Sequence, residues 1–351
     1  MDLPIYRIRM NKADYTKFNR DIWSKAFVRG ELSIRGISQP VRIRYRGEHT
    51  REHPKKSYEI RTRGLTYHFN AQYDDPSMLR NALSFRFLES IGVPAPAAQY
   101  CVLYLNGELL GVYLRLEAVK TRFFRKRGIP VRSIFYAIND NADFSLYDKD
   151  TGYPKPSLFS GYSLIKGMRK DRERFEQFVE RLNAKRGKDL LRFLHSRINI
   201  NNYLRWLSGA VMTGNDDGLS QNYTWYEHGM TGKYGIIPWD YEGTWGRNFF
   251  GARTESNLIP IQGYNELTEK ILSYRSLRTE YKRLLRSHLK SKFRPDLIMT
   301  AARKMHSRIA ADVRRDPNKQ WDMGVFQSEL GVIREFTEKR REYLIQHLND
   351  L

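Results

Sequence analysis

The stretch GNDDGLSQN, residues 214–222, sets two adjacent aspartates on a glycine turn, with an asparagine five places after the second. A third aspartate, Asp240, follows the apolar run KYGIIPW. Carboxylate and amide oxygens of this kind hold hard divalent cations, and a carboxylate beside them can accept a hydroxyl proton. The local pattern lets them meet. INNYLRWLSGAVMTG reads as a helix ending at Gly214, NDDGLSQN as a loop, and YTWYEH and KYGIIPW as two strands joined by the turn GMTG. Asp217 and Asn222 on the loop and Asp240 at the far end of the hairpin can then converge on one spot. An acid, an asparagine five residues on, a hairpin and a second acid follow the order of a protein-kinase catalytic centre. There the first acid accepts or orients the acceptor hydroxyl proton, and the asparagine and second acid hold Mg²⁺ across the nucleotide phosphates. The spacing alone is weak, since it arises by chance about once in a chain this long. Asp-Gly and Asn-Asp are also ordinary turn chemistry. The sequence lacks GxGxxGxV, a His-Arg before the acid, DFG and APE.

Such chemistry also needs fixed cations for the phosphates. RGEHTREHPKKSYEI offers Arg46, Lys55 and Lys56 before a strand, and Glu117 in VYLRLEAVK is a candidate partner for a lysine. The alternative is a basic, solvated strand edge. Strand alternation lets only one of Lys55 and Lys56 face a nucleotide, and Lys56 is the favoured one.

The elements that must position these groups fall into two textures. Up to about residue 120 the chain reads as strands. In SIRGISQPVRIRYRG, Val41, Ile43 and Tyr45 alternate with Arg42, Arg44 and Arg46, the period of a half-buried sheet. SYEIRTRG repeats it, and QYCVLYLNGELLGVYLRLE reads as a hairpin turning at Asn106-Gly107. Between them DPSMLRNALSFRFLESIGVP has helical period, with an Asp-Pro start and a stop at Gly92. Beyond 121 helices dominate: AVKTRFFRKRG, RKDRERFEQFVERLNA, DLLRFLHSRI and most of 265–350. The segment DNADFSLYDKDTGYPKPSLFSGYS has no period and is long for a loop, an insertion or a mobile lid. The expectation is an α+β chain with a β-rich N-terminal lobe (1–120) and a mainly helical C-terminal lobe (121–351). The second lobe carries the catalytic loop (215–222) and the metal segment (238–246).

Composition bounds the partners. A net charge of +22 over 351 residues predicts attraction to polyanions, yet the basic residues are spread along the whole chain and no nucleic-acid module accompanies them. Nucleic acid is therefore the least favoured partner. No apolar run is long enough for a spanning helix, and the start MDLPIYRIRMNKADY shows no secretory signal. A single cysteine, Cys101, excludes an internal disulfide and a cysteine-based zinc site, and reads as a small buried strand residue. A reducing intracellular compartment fits these features.

Four runs carry a likeness to a known family: RGEHTREHPKKSYEI, YDDPSMLRNALSFRFLESIGVPAP, GELLGVYLRLEAV and MTGNDDGLSQNYTWYEHGMTGKYGIIPWDYEGTWGRN. In order, over roughly residues 30–250, the chain resembles the CotH kinase family, most of all its spore-coat members in Bacillus-type spore formers. The resemblance implies a divergent, atypical protein-kinase-like two-lobed fold. It also implies transfer of the ATP γ-phosphoryl group to serines of spore coat proteins, with ATP and Mg²⁺ (or Mn²⁺) as cofactors. Serine-rich coat proteins would be the partners, and the chain would act in the mother-cell cytoplasm during sporulation and then in the coat. By the same resemblance Asp217 is the catalytic-loop acid, Asn222 and Asp240 are the metal ligands, and Lys56 or Lys55 is the phosphate-binding lysine, oriented by Glu117. Arg46 contacts phosphate. Asp216 reads as a turn or supporting residue, and Trp239 and Trp245 as core. The competing function is a structural assembly scaffold of the same fold that binds coat proteins without phosphoryl transfer. Retention of Asp217, Asn222, Asp240 and a lysine favours the enzyme.

Overall fold

Alternation builds the first elements. The computed structural model describes residues 2–351. In β1 (Ile5–Arg9) Tyr6 and Ile8 are buried, while Ile5, Arg7 and Arg9 face water. Helix α1 (Lys12–Arg20) is capped by the Asn11 side chain, which accepts from Asp14 N. Strands β2 (Val28–Ile34), β3 (Ile37–Arg46), β4 (Ser57–Thr62) and β5 (Leu65–Asn70) follow, then α2 (Arg80–Ser90). Val41, Ile43 and Tyr45 on β3 turn inward, as their spacing predicts. The hairpin β6 (Ala98–Leu105) and β7 (Glu108–Glu117) turns at Asn106 and Gly107, whose φ of +50° and +92° suit a two-residue primed turn. These seven strands close a barrel in the order β1-β2-β3-β4-β5-β7-β6. The parallel pairing of β1 with β6, Ile5 opposite Val102, completes the closure and leaves no free edge. Ile8, Leu32, Ile43, Ile60, Phe69, Cys101 and Leu103 fill its core. Cys101 is buried as expected, and burial pushes its thiol up to about 12.

The remaining elements are α3 (Thr121–Lys126), β8 (Val131–Ala137), β9 (Tyr162–Lys166), α4 (Arg169–Ala184), α5 (Gly187–Arg197) and α6 (Ile200–Thr213). After them come β10 (Tyr223–His228), β11 (Tyr234–Pro238), α7 (Glu266–Leu272), α8 (Arg275–Ser291), α9 (Pro295–Arg315) and α10 (Met323–Gln346). Strands β11-β10-β8-β9 form a four-stranded antiparallel sheet. The chain is thus α+β. It divides into two compact units, one of Met1–Ala82, Pro96–Ala118 and Thr300–Leu330, the other of Leu83–Ala95, Val119–Met299 and Gly331–Leu351.

This division departs from one cut at 120/121 in three respects. Residues 83–95 fall in the second unit. Residues 300–330 belong with the barrel, because Asp316, just past α9, is bonded inside it. The second unit also has a sheet of its own, since VRSIFYA and YSLIK are strands that carry no clean alternation. Helix α2 begins at Arg80 and not at the Asp-Pro pair. The Asp75 carboxylate accepts from Ser77 N, Ser77 Oγ and Arg80 N at 2.9, 2.7 and 2.8 Å, so it caps the helix from five residues upstream.

The unperiodic segment after β8 is ordered by a lysine. The Lys155 ammonium donates to Asn141 O, Asp143 Oδ1 and Ser145 O at 2.7, 2.8 and 3.1 Å, occupying the middle of the loop as a bound cation would. Buried Tyr162 and Tyr223 share a hydrogen bond of 2.8 Å beneath it. Among the described residues no helix is long and apolar enough to cross a membrane.

Candidate active site

Helix α6 delivers the aspartate loop. It is buried along nearly its whole length and ends at Gly214, whose φ of +70° is the left-handed cap that reverses the chain. Asn215 then folds its side chain over the next turn, accepting from Gly218 N at 3.0 Å. A Cβ at Gly218 would sit 2.1 Å from Asn215 Nδ2, so this turn needs glycine for space. Asp217 opens a short 3-10 turn, Asp217–Leu219, anchored by the fully buried Leu219 and by Asn265 Nδ2 donating to Leu219 O at 2.7 Å.

Asn222 links the loop to the sheet. Its backbone N donates to Ala137 O at the end of β8, and its carbonyl accepts from Trp239 N after β11, at 3.2 and 3.1 Å. Tyr223 pairs with Pro238, so Asn222 and Asp240 flank the same end of the β10–β11 hairpin. Both take left-handed backbone, φ +55° and +51°, a conformation that aspartate and asparagine tolerate better than most residues and that clusters at functional positions.

The Asn222 and Gln221 side chains meet that of Asp217. Asn222 Nδ2 donates to Asp217 Oδ2, and Gln221 Nε2 donates to Asp217 Oδ1. Burial pushes the Asp217 carboxyl up to about 6, the Gln221 and Asn222 hydrogen bonds oppose this, and the charges of Asp240 and Asp140 add to it. Asp217 therefore faces the negative charge of two further carboxylates in a chain whose net charge is +22. Asp140 and Gln221 were not singled out from sequence. The only signal for Asp140 is that IND starts an acidic patch, Asp140, Asp143 and Asp148, in a basic chain. Ser220 Oγ approaches Asp140 Oδ1 at 3.4 Å and receives Lys149 Nζ at 3.3 Å. Asp216 has a supporting contact: Tyr264 Oη donates to its backbone O at 2.6 Å and to its Oδ1 at 2.5 Å. Trp245 is fully buried, whereas Trp239 is partly exposed.

The basic candidates all belong to the barrel unit, and the lysine pair divides sharply. Lys55 Nζ is buried and donates to Asp316 Oδ2 at 2.7 Å and to Val112 O at 2.6 Å. Asp316 also accepts from Val112 N at 2.8 Å. It lies so close to Gly111 that a Cβ there would fall 2.0 Å from Asp316 Oδ1. Lys56 Nζ is partly exposed and donates to Arg51 O and His53 O at 2.7 and 2.8 Å. Neither ammonium bonds to Glu117, the partner expected for it. The Lys55 counter-charge is Asp316, 261 residues away in sequence, because a lysine sealed in the barrel needs a carboxylate sealed there with it. Glu117 Oε2 instead accepts from Ala97 N at 3.4 Å. Arg46 is the last residue of β3, opposite Ser57 and partly exposed.

The donor set can be tested against Mg²⁺ on its chemistry. Asp217, Asp240 and Asp140 are hard oxygen donors whose mutual repulsion a cation would relieve. Asn222 spends its amide N–H on Asp217, which leaves its carbonyl oxygen as an acceptor. These residues fit a magnesium ion.

The chain matches the family described as CotH kinase protein over residues 43–344. It is 36% identical over 357 aligned residues to inner spore coat protein H of Bacillus subtilis (strain 168), covering 100% of this chain and 99% of that one. It is 24% identical over 300 residues to the inner spore coat protein H-like protein of the same organism, covering 84% and 86%. Among solved structures, a Helicobacter pylori proinflammatory kinase, CtkA, aligns over 84% of this chain and 94% of its own, at 9% identity and a TM-score of 0.36.

Proposed function

This chain belongs to the CotH kinase protein family, and from that premise we propose that it is an atypical protein kinase of the spore coat, transferring the γ-phosphoryl group of ATP to serine hydroxyls of coat proteins. The observation that carries the reading is the Asp217 carboxylate. It is largely buried, titrates near 6, and is held in orientation by Gln221 and Asn222. A carboxylate raised toward neutrality is a stronger proton acceptor than an ordinary aspartate and is still mostly ionised at pH 7. In the proposed reaction the serine hydroxyl gives its proton to Asp217 as its oxygen bonds the γ-phosphorus, and the bond to the ADP oxygen breaks. Asp240 and the Asn222 side-chain oxygen would hold Mg²⁺, with Asp140 adding negative charge nearby. The ion, when bound, neutralises phosphate charge. Phosphate contacts fall, by family resemblance, to Arg46 and to one of the two lysines. Lys56 is the better candidate, because Lys55 is sealed against Asp316.

The test is transfer of label from [γ-³²P]ATP to a serine-rich coat protein, with and without Mg²⁺, by the native chain and by Asp217→Asn. Label that appears only with the native chain and Mg²⁺ supports the reading. A native chain that binds the coat protein but transfers nothing, under conditions where nucleotide is bound, returns the function to a scaffold.

A further inference from the structure

Among the described residues, one group of three side chains of the metal-binding types has ligand atoms all within 4.8 Å of one another: His49, His53 and Asp74. None of them belongs to the aspartate loop. They lie at one end of the barrel, His49 and His53 in the connection from β3 to β4, and Asp74 four residues past β5. We propose that these three residues form a second metal site, specific for a zinc-class divalent cation and distinct from the magnesium ligands.

Local structure prepares the ligands. The short 3-10 turn His49–Arg51 starts at the first histidine, and the second follows four residues later, with the two rings edge to face at 5.8 Å between centroids. The backbone around His53 is held by Lys56, whose ammonium donates to Arg51 O and His53 O. The Tyr73 ring lies 4.8 Å from the His53 ring and packs one side of it. His53 Nδ1 is buried and has no hydrogen-bond partner. Asp74 Oδ2 lies 3.5 Å from it. A buried imidazole nitrogen facing a carboxylate oxygen at that separation lacks a direct hydrogen bond and leaves room for a shared ligand. Asp74 is 8% exposed. Its neighbour Asp75 is spent on Ser77 and Arg80, so only Asp74 of the pair turns to the histidines.

The chemistry selects the ion. Two imidazoles and one carboxylate suit zinc and its transition-metal neighbours, while Mg²⁺ prefers oxygen ligands throughout. Zinc takes such ligands at about 2.0–2.2 Å, so side-chain shifts of about an ångström would bring all three onto one ion. Water would complete the coordination, since the one cysteine, Cys101, is buried within the barrel. The ion would tie the β3–β4 connection to the chain leaving β5, fastening the loop that carries Lys55 and Lys56.

The experiment uses the full chain, stripped with chelator and then equilibrated with Zn²⁺ in a large excess of Mg²⁺. Bound zinc is measured by elemental analysis after desalting, and thermal melting is recorded with and without Zn²⁺. One zinc per chain and a melting temperature raised by Zn²⁺ are expected. His49→Ala, an exposed position, and His53→Ala should each weaken zinc binding at least about tenfold. His49→Ala should melt like the metal-free native chain, which separates lost metal from lost fold. Asp240→Asn should keep the zinc, and this readout needs no kinase activity. Absence of stoichiometric zinc in the native chain overturns the proposal. So does zinc retained by both histidine variants, or zinc lost in Asp240→Asn alone.

Discussion

Asp217→Asn should make the protein more stable at neutral pH while removing its proposed activity. The aspartate titrates near 6 because it is buried and faces Asp240 and Asp140, against an ordinary value of 3.8. A carboxyl displaced that far carries roughly 3 kcal/mol of destabilisation once ionised. The sign follows from proton binding. Below pH 3.8 the group is protonated in the folded and unfolded chain alike and contributes its full stability. As pH rises from 3.8 through 6 the unfolded chain releases its proton first, and stability is lost. Asparagine is close in shape and cannot ionise. Its one amide oxygen can accept from only one of Gln221 Nε2 and Asn222 Nδ2, and the bond lost returns about 1–2 kcal/mol of the gain at every pH. The expected net effect at pH 7.5, without metal or nucleotide, is a gain of about 1–2 kcal/mol, which reverses to a loss of about 1–2 kcal/mol below pH 4 as the ionisation term of about 3 kcal/mol vanishes. Urea unfolding followed by tryptophan fluorescence at several pH values measures it. A variant less stable than the native chain at pH 7.5, or a difference that does not change with pH, would refute the electrostatic account of the site. The same variant in the transfer assay should lose on the order of 10²–10⁴-fold in rate.

Asp240→Asn should lower the Asp217 titration point by removing a repelling charge, seen as a shift of the Asp217 carboxyl resonance by NMR, and should sharply weaken Mg·ATP binding in calorimetry; an unmoved resonance would remove Asp240 from the site. Asp316→Asn leaves the Lys55 ammonium buried without a counter-charge and should cost about 3–5 kcal/mol in urea unfolding, with much of the loss recovered in the Lys55→Met, Asp316→Asn double variant. Lys56→Ala should be far milder on stability than Lys55→Ala, and equal losses in the two would contradict their different burial. Gly111→Ala places a Cβ against the Asp316 carboxylate at φ +107° and should destabilise by about 2 kcal/mol or more, measured the same way.

What the sequence exposed and what it hid divide along chain separation. Asp217, Asn222 and Asp240 could be brought together on paper because one helix end, one loop and one hairpin connect them within 24 residues. Gly214, Asn106 and Gly107 mark their turns through backbone needs that only a few residue types meet. Asp140 approaches the same loop from the end of β8, and nothing in its neighbours announces that approach. The lysine pair shows the limit most clearly. Period-two alternation says that Lys55 and Lys56 point to opposite sides, but it cannot say which side holds the partner. That is decided by Asp316, brought into the barrel from beyond α9, and by Gly111, which leaves the carboxylate room to sit against the strand. Glu117 was the natural choice from sequence, since the phosphate-binding lysine of a kinase sits on a strand and is oriented by an acid. Burial overrules that analogy here. A sealed ammonium takes the carboxylate that is sealed with it, so this pair secures the barrel and leaves the partly exposed Lys56 as the lysine able to meet a ligand.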